Sequence, residues 1–143
     1  MPGTKVGERL DVDADLNNLA TIRQFVRRVA TAAGLDRASA DDLVLAVDEA
    51  VANIITHGYG KNGSSPIEVE AVPGNGAVTV HVRDRAPQYN PLEETAAPKL
   101  ESPLKRRPPG GFGVYLIRKN TDRVEYRARE GGGNELIMVK NLP

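Results

Sequence analysis

Two alternating runs around a glycine-rich turn do most to constrain how this chain folds. Ile67, Val69 and Ala71 alternate with polar residues, and so do Val78, Val80 and Val82. Gly74-Asn75-Gly76 lies between them. Successive strand side chains point to opposite faces, so each run has one apolar face. Asn-Gly between two such runs predicts a β-hairpin. The same parity carries Asp84 onto the face of Val78, Val80 and Val82. If that face is the core face, a carboxylate ends a buried strand face and needs a donor partner. The amino group of a purine ring would serve. The alternative is that Asp84 only starts the turn, as Asp often does.

Upstream the period changes. Leu16, Leu19, Phe25 or Val26, Val29 and Ala33 recur at helical spacing. Asp13 or Asp15 suits the N-cap and Gly34 the stop, predicting a helix over 15–33. Ser39 with Asp42 reads as a capping-box-like start for a second helix, running to about His57 and ending at Gly58. Residues 4–13 read as a short strand. Residues 85–109 hold six prolines and the basic run Lys105-Arg106-Arg107. Such a long irregular loop is usually functional or disordered. A short helix is expected after Gly113, then a hairpin of 124–129 and 135–140 around Gly131-Gly132-Gly133. Segregated helices and hairpins predict an α+β class: a two-layer α/β sandwich, its sheet largely antiparallel, with helices on one face.

Composition sets outer limits. The 143 residues suit a single domain over 1–143. The 19 basic and 19 acidic side chains balance, which argues against a broad electrostatic grip on nucleic acid. No cysteine is present, which removes disulfides and thiolate metal sites. With no membrane-spanning run and no signal-peptide core, a cytoplasmic, membrane-free protein is expected.

Three segments carry candidate chemistry. The first is DEAVANIITHGYG, residues 48–60. Glu49, Asn53 and His57 are four residues apart, a stripe drifting about 40° per step along one side of a helix. One reading is a solvated face with a border histidine. The other is a cleft in which Asn53 offers magnesium a single oxygen and substrate phosphates supply the rest. Glu49, one turn away, would then take a proton from an attacking hydroxyl. His57 reads as a packed histidine tying the helix end to the next loop. The second segment is VRDRAP, with Asp84. The third is PPGGFGVYLI, where Gly110, Gly111 and Gly113 precede a helix. A helix N-terminus with glycine backbone can receive an anion, although the spacing matches neither a Walker A loop nor a Rossmann fingerprint. Lys105 and Arg106 are solvated surface or a cover over phosphates.

Together these segments resemble the GHKL (Bergerat-fold) ATPase superfamily: ExxxN on a helix, a strand ending in Asp, then a long loop closing on GGxGxxLI. More narrowly, DEAVANIITHGYG and GGFGVYLIRKNTDRVEY resemble the anti-sigma-factor serine/threonine kinases. The resemblance spans about 15–140. It implies ATP and Mg2+ as cofactors, Glu49 as catalytic base and Asn53 as the magnesium ligand. Asp84 becomes the adenine-recognising acid, with Ala86 beside it. Gly110, Gly111 and Gly113 become phosphate contacts, and 86–109 a mobile ATP lid holding Lys105 and Arg106. The implied activity is ATP-dependent phosphorylation of a serine on a STAS-domain anti-anti-sigma partner, combined with sigma-factor binding. A homodimer is compatible with the resemblance. The chain departs from the family at Ala86, where Gly is usual, at Tyr89-Asn90-Pro91 in place of Phe-Asp-Pro, and at Asn134, where a Thr is common. These departures raise an alternative: a catalytically weak ATP-binding module that controls a partner through lid ordering.

Overall fold

A computed structural model describes residues 7–58, 65–94 and 111–143. Strand β1 is Glu8–Asp13. A 3-10 turn, Leu16–Asn18, is capped by Asp15, whose side chain accepts from the Asn17 amide. It leads into α1, Leu19–Ala33. Gly34 closes α1 with φ 108°, a left-handed conformation that costs glycine nothing.

Helix α2 is Arg37–Asn53. It starts earlier than the Ser39 cap predicts, because the Asp36 side chain accepts from the Ser39 amide and becomes the cap itself. It also stops being α-helical earlier. After Asn53 the chain widens into a π turn, Ile54–Gly58. Strands β2, Pro66–Gly74, and β3, Ala77–Asp84, form the predicted hairpin. Asn75 takes φ 56° in its turn. A single helical turn, α3, Pro91–Glu94, interrupts the region expected to be irregular. Helix α4 is Gly111–Lys119. Strands β4, Arg123–Ala128, and β5, Asn134–Asn141, close the described chain.

The five strands form one antiparallel sheet in the order β1-β2-β3-β5-β4. Helices α1 and α2 lie against it, and α4 packs on α2 and β4. The class is α+β, as the element order predicts. The core lies between the layers. Ile67, Val69, Val78, Val80, Val82 and Met138 are fully buried from the sheet side, and Ile22, Val26, Leu43, Val47 and Val51 from the helix side. Each such side chain contributes about 1.5–3 kcal/mol of burial.

The opposite sheet face is charged. The Arg83 guanidinium meets Glu70 at 3.0 Å and Glu135 at 2.7 Å, and also pairs with Glu68. Those carboxylates hold Arg83 well above its ordinary basicity despite partial desolvation. Alternation in the sequence thus separates an apolar inner face from an ionic outer one.

Candidate functional site

A cavity of about 490 Å³ opens where α2, the π turn, β3, β5 and α4 meet. Its size falls in the range of small-molecule sites. Its wall includes Asn53 and His57 from the helix side, Asp84 and Ala86 from the end of β3, and Val114 and Ile117 from α4. Sequence reasoning required Asp84 and Asn53 to share a space, and they line the same cavity.

At one end is Asp84. It is 3% exposed, the one buried charged residue among those described. The β3 parity reads true: Val78, Val80, Val82 and Asp84 are all buried and the residues between them less so. Asp84 Oδ1 accepts from the Ala86 amide at 2.8 Å and from Asn134 Nδ2 at 2.9 Å. Burial pushes its carboxyl above the usual range; the Asn134 and Ala86 hydrogen bonds and the nearby Arg129 partly offset this. Asp84 therefore starts a turn and ends a buried face at once.

Ala86 is 3% exposed. A side chain on Gly58 would come within 3.1 Å of the Ala86 methyl. The alanine methyl thus fits a gap left by a glycine on the π turn. Sheet register explains how Asn134 reaches Asp84: the two are direct partners across β3 and β5. Gly133, with φ 102°, allows the strands to close there. A Cβ on it would lie 2.1 Å from the Asp84 carbonyl oxygen.

On the helix side the cavity is lined by Asn53, and Glu49 and Gly113 lie beside that residue. A Cβ on Gly113 would lie 3.1 Å from Glu49 Oε2 and 3.2 Å from Asn53 Nδ2. The backbone of α4 therefore approaches the acid and the amide as closely as a glycine permits. The helix begins at Gly111, so Gly113 is inside its first turn rather than before it. Glu49 is half-buried, and burial raises its carboxyl above the usual range, with Asp48 adding to the shift. Among the described residues neither Glu49 nor Asn53 has a side-chain hydrogen bond.

His57 is not the packed histidine expected from its helical position. It is exposed and lies in the π turn, and like Asn53 it lines the cavity wall. Gly110, Lys105, Arg106 and the 95–109 part of the expected lid lie outside the described residues. Sequence reasoning missed the roles of Tyr126 and Tyr89, which meet Asn134. No local signal could reveal a contact made between β4, β5 and the loop after β3.

The donors present suit a nucleotide with its divalent ion. A buried acceptor lies at one end, and a glycine cradle beside an acid and an amide at the other. Among the described residues no cluster of three or more acidic or histidine side chains could hold a metal alone. No described helix is long and apolar enough to cross a membrane.

Comparison with known proteins agrees with this geometry. The model for the histidine kinase-like ATPase domain matches residues 12–140. The serine-protein kinase RsbW of Oceanobacillus iheyensis is 29% identical over 126 residues, covering 85% of this chain and 79% of that protein. The anti-sigma F factor of Clostridium acetobutylicum is 30% identical over 104 residues, covering 71% and 70%. The crystal structure of the RsbU and RsbW domains of a Mycobacterium tuberculosis protein superposes with a TM-score of 0.67 over 96% of this chain. At 22% identity and 33% of that longer chain, it supports the fold alone. The chain belongs to the histidine kinase-like ATPase domain family, among the relatives named serine-protein kinase RsbW and anti-sigma F factor.

Proposed function

We propose that this chain is an ATP-dependent protein serine/threonine kinase that acts as an anti-sigma regulator. It binds a sigma factor and phosphorylates a serine on a STAS-domain partner. The observation that carries this reading is one cavity lined by both Asp84 and Asn53, with Glu49 and Gly113 beside Asn53. The names of the relatives point the same way.

In this reading Asp84 accepts from the exocyclic amino group of adenine. Ala86 and Val114 flank the ring, and the opening of α4 receives the phosphates. Asn53 offers its side-chain oxygen to magnesium. Bound magnesium neutralises charge on the phosphate oxygens. The substrate serine oxygen forms the new bond to the γ-phosphorus, the bond to ADP breaks, and the hydroxyl proton passes to Glu49. Burial equips Glu49 for that task, since a carboxylate with raised affinity for protons is a better base. Gly110, Gly111 and Gly113 contact phosphate, and Lys105 and Arg106 close over it from the 86–109 lid.

The test is labelled ATP with magnesium and a cognate STAS protein. Label on the partner's serine, lost with Glu49→Ala, is the expected result. No label with the true partner, and no difference between the two proteins, defeats the kinase reading.

One observation favours a second reading, nucleotide-gated binding with little turnover. The base end is tied directly to the start of the 86–94 segment, because the Tyr89 amide donates to Asn134. Occupancy alone would then set the position of that segment. Equal partner affinity with ATP and a non-hydrolysable analogue, without phosphoprotein, selects it.

A further inference from the structure

We propose that Asn134 is a positioning residue: one side chain holds Asp84 as an acceptor and fastens the first residues after β3 over the same end of the cavity. The binding half of this proposal rests on the nucleotide reading above; the structural half does not.

Asn134 faces in two directions. Its Nδ2 donates to Asp84 Oδ1 at 2.9 Å, to the Pro87 carbonyl at 3.2 Å and to the Ala86 carbonyl at 3.4 Å. Its Oδ1 accepts from the Tyr126 hydroxyl at 2.6 Å and from the Tyr89 amide at 2.9 Å. Three oxygens surround the nitrogen and two donors surround the oxygen, so the amide has one orientation that satisfies everything around it. Only asparagine or glutamine carries donors and an acceptor on one planar group, and sheet register leaves the Asp84–Asn134 pair the reach of the shorter one. Threonine has one hydroxyl, which donates a single hydrogen bond and is too short to replace both ends of the amide, so it could not meet all five partners. Aspartate could still accept from Tyr89 and Tyr126 but would set an anion against Asp84.

Two properties of the site therefore depend on one side chain: which way Asp84 presents its oxygens, and where residues 86–89 lie. An amino group arriving at Asp84 joins a network that already reaches Tyr89, so occupancy of the base end and placement of the segment strengthen one another. The charged groups near this network are Arg129, which donates to the Asp84 carbonyl at 3.0 Å, and Glu93, whose field acts on Tyr126.

The full chain, Asn134→Asp and Asn134→Ala are compared in two measurements. The first is amide hydrogen exchange at Tyr89 without nucleotide. Asn134→Ala should speed it by about tenfold or more, while Asn134→Asp, which keeps the acceptor, should not. The second is MgATP affinity by calorimetry from about pH 8 down to about pH 5.5. Asn134→Asp should bind about tenfold more weakly at the alkaline end and recover on acidification, as the two carboxyls come to share a proton. Asn134→Ala should be weaker throughout and show no such recovery. Unchanged Tyr89 exchange in Asn134→Ala, or an Asn134→Asp profile parallel to that of the native chain, overturns the proposal. If the native chain binds no ATP, the nucleotide reading fails, and the exchange experiment still decides the latch.

Discussion

The two ends of the cavity are built on opposite plans. At the Asp84 end the side chains are tied together: Asp84 Oδ1 takes two hydrogen bonds, and Asn134 has five polar partners. At the Glu49 end the acid and the amide have no hydrogen bond among the described residues. They are held instead by their helix and by a glycine pressed against them. The first end is preorganised for recognition, where a fixed acceptor costs little to reuse. The second keeps polar capacity that the proposed phosphoryl transfer would use.

The contrast can be broken most forcefully at Glu49. Glu49→Ala should lower phosphoryl transfer by about 10²–10⁴-fold and leave ATP affinity nearly intact, as calorimetry beside a transfer assay would reveal. In the native chain the acid limb of the rate profile should lie above the ordinary carboxylate range, since burial raises Glu49 and transfer needs its ionised form. Activity is then lost as pH falls through that raised value. A limb at the ordinary position would move the base elsewhere.

Asp84→Asn should do the reverse. The new amide oxygen can still accept from Ala86 and Asn134, so the fold should hold. The native carboxyl is raised on folding, so its ionised form costs stability above the unfolded value, and that cost disappears in the variant. A melting temperature equal to or above native at neutral pH is expected, with ATP affinity about a hundredfold weaker because an N–H now meets the ring amino group. A destabilised variant with native affinity would reverse the roles assigned to this end.

Gly113→Ala tests the crowded end by volume. Its methyl would meet Glu49 Oε2 and Asn53 Nδ2 at 3.1–3.2 Å, so those side chains must move. Transfer should fall by about tenfold, more than binding does. The smallest change should be Ala86→Gly. It loses a buried methyl against Gly58 and frees the backbone, costing about 1 kcal/mol by denaturant titration with little effect on affinity. A large gain in affinity would mean that the methyl crowds the base after all.

Much of this was legible in the sequence because it repeats with short periods. Strand parity alone placed Asp84 with Val78, Val80 and Val82, since a period of two survives any tertiary context. The four-residue spacing of Glu49 and Asn53 set them on one side of α2 for the same reason. His57 follows Asn53 onto the cavity wall but is exposed rather than packed, in a π turn, Ile54–Gly58, that no residue there announces. The cap of α2 was misplaced by three residues because Asp36 competes with Ser39, and local pattern cannot rank two good caps. Asn134 came forward only as a departure from a family pattern. Two of its partners, Tyr89 and Asp84, lie 45 and 50 residues away and reach it only when β5 pairs with β3.

The π turn has a consequence for how this cavity tolerates insertion and deletion. A π turn holds one residue more than the same stretch of α-helix would. Removing a single residue between Ile54 and His57 would let α2 continue smoothly, which favours the helix locally. It would also swing Gly58 about 100° around the axis and away from Ala86. Length polymorphism at this point is therefore silent to secondary structure and disruptive to the binding wall, so an indel there outweighs many substitutions nearby.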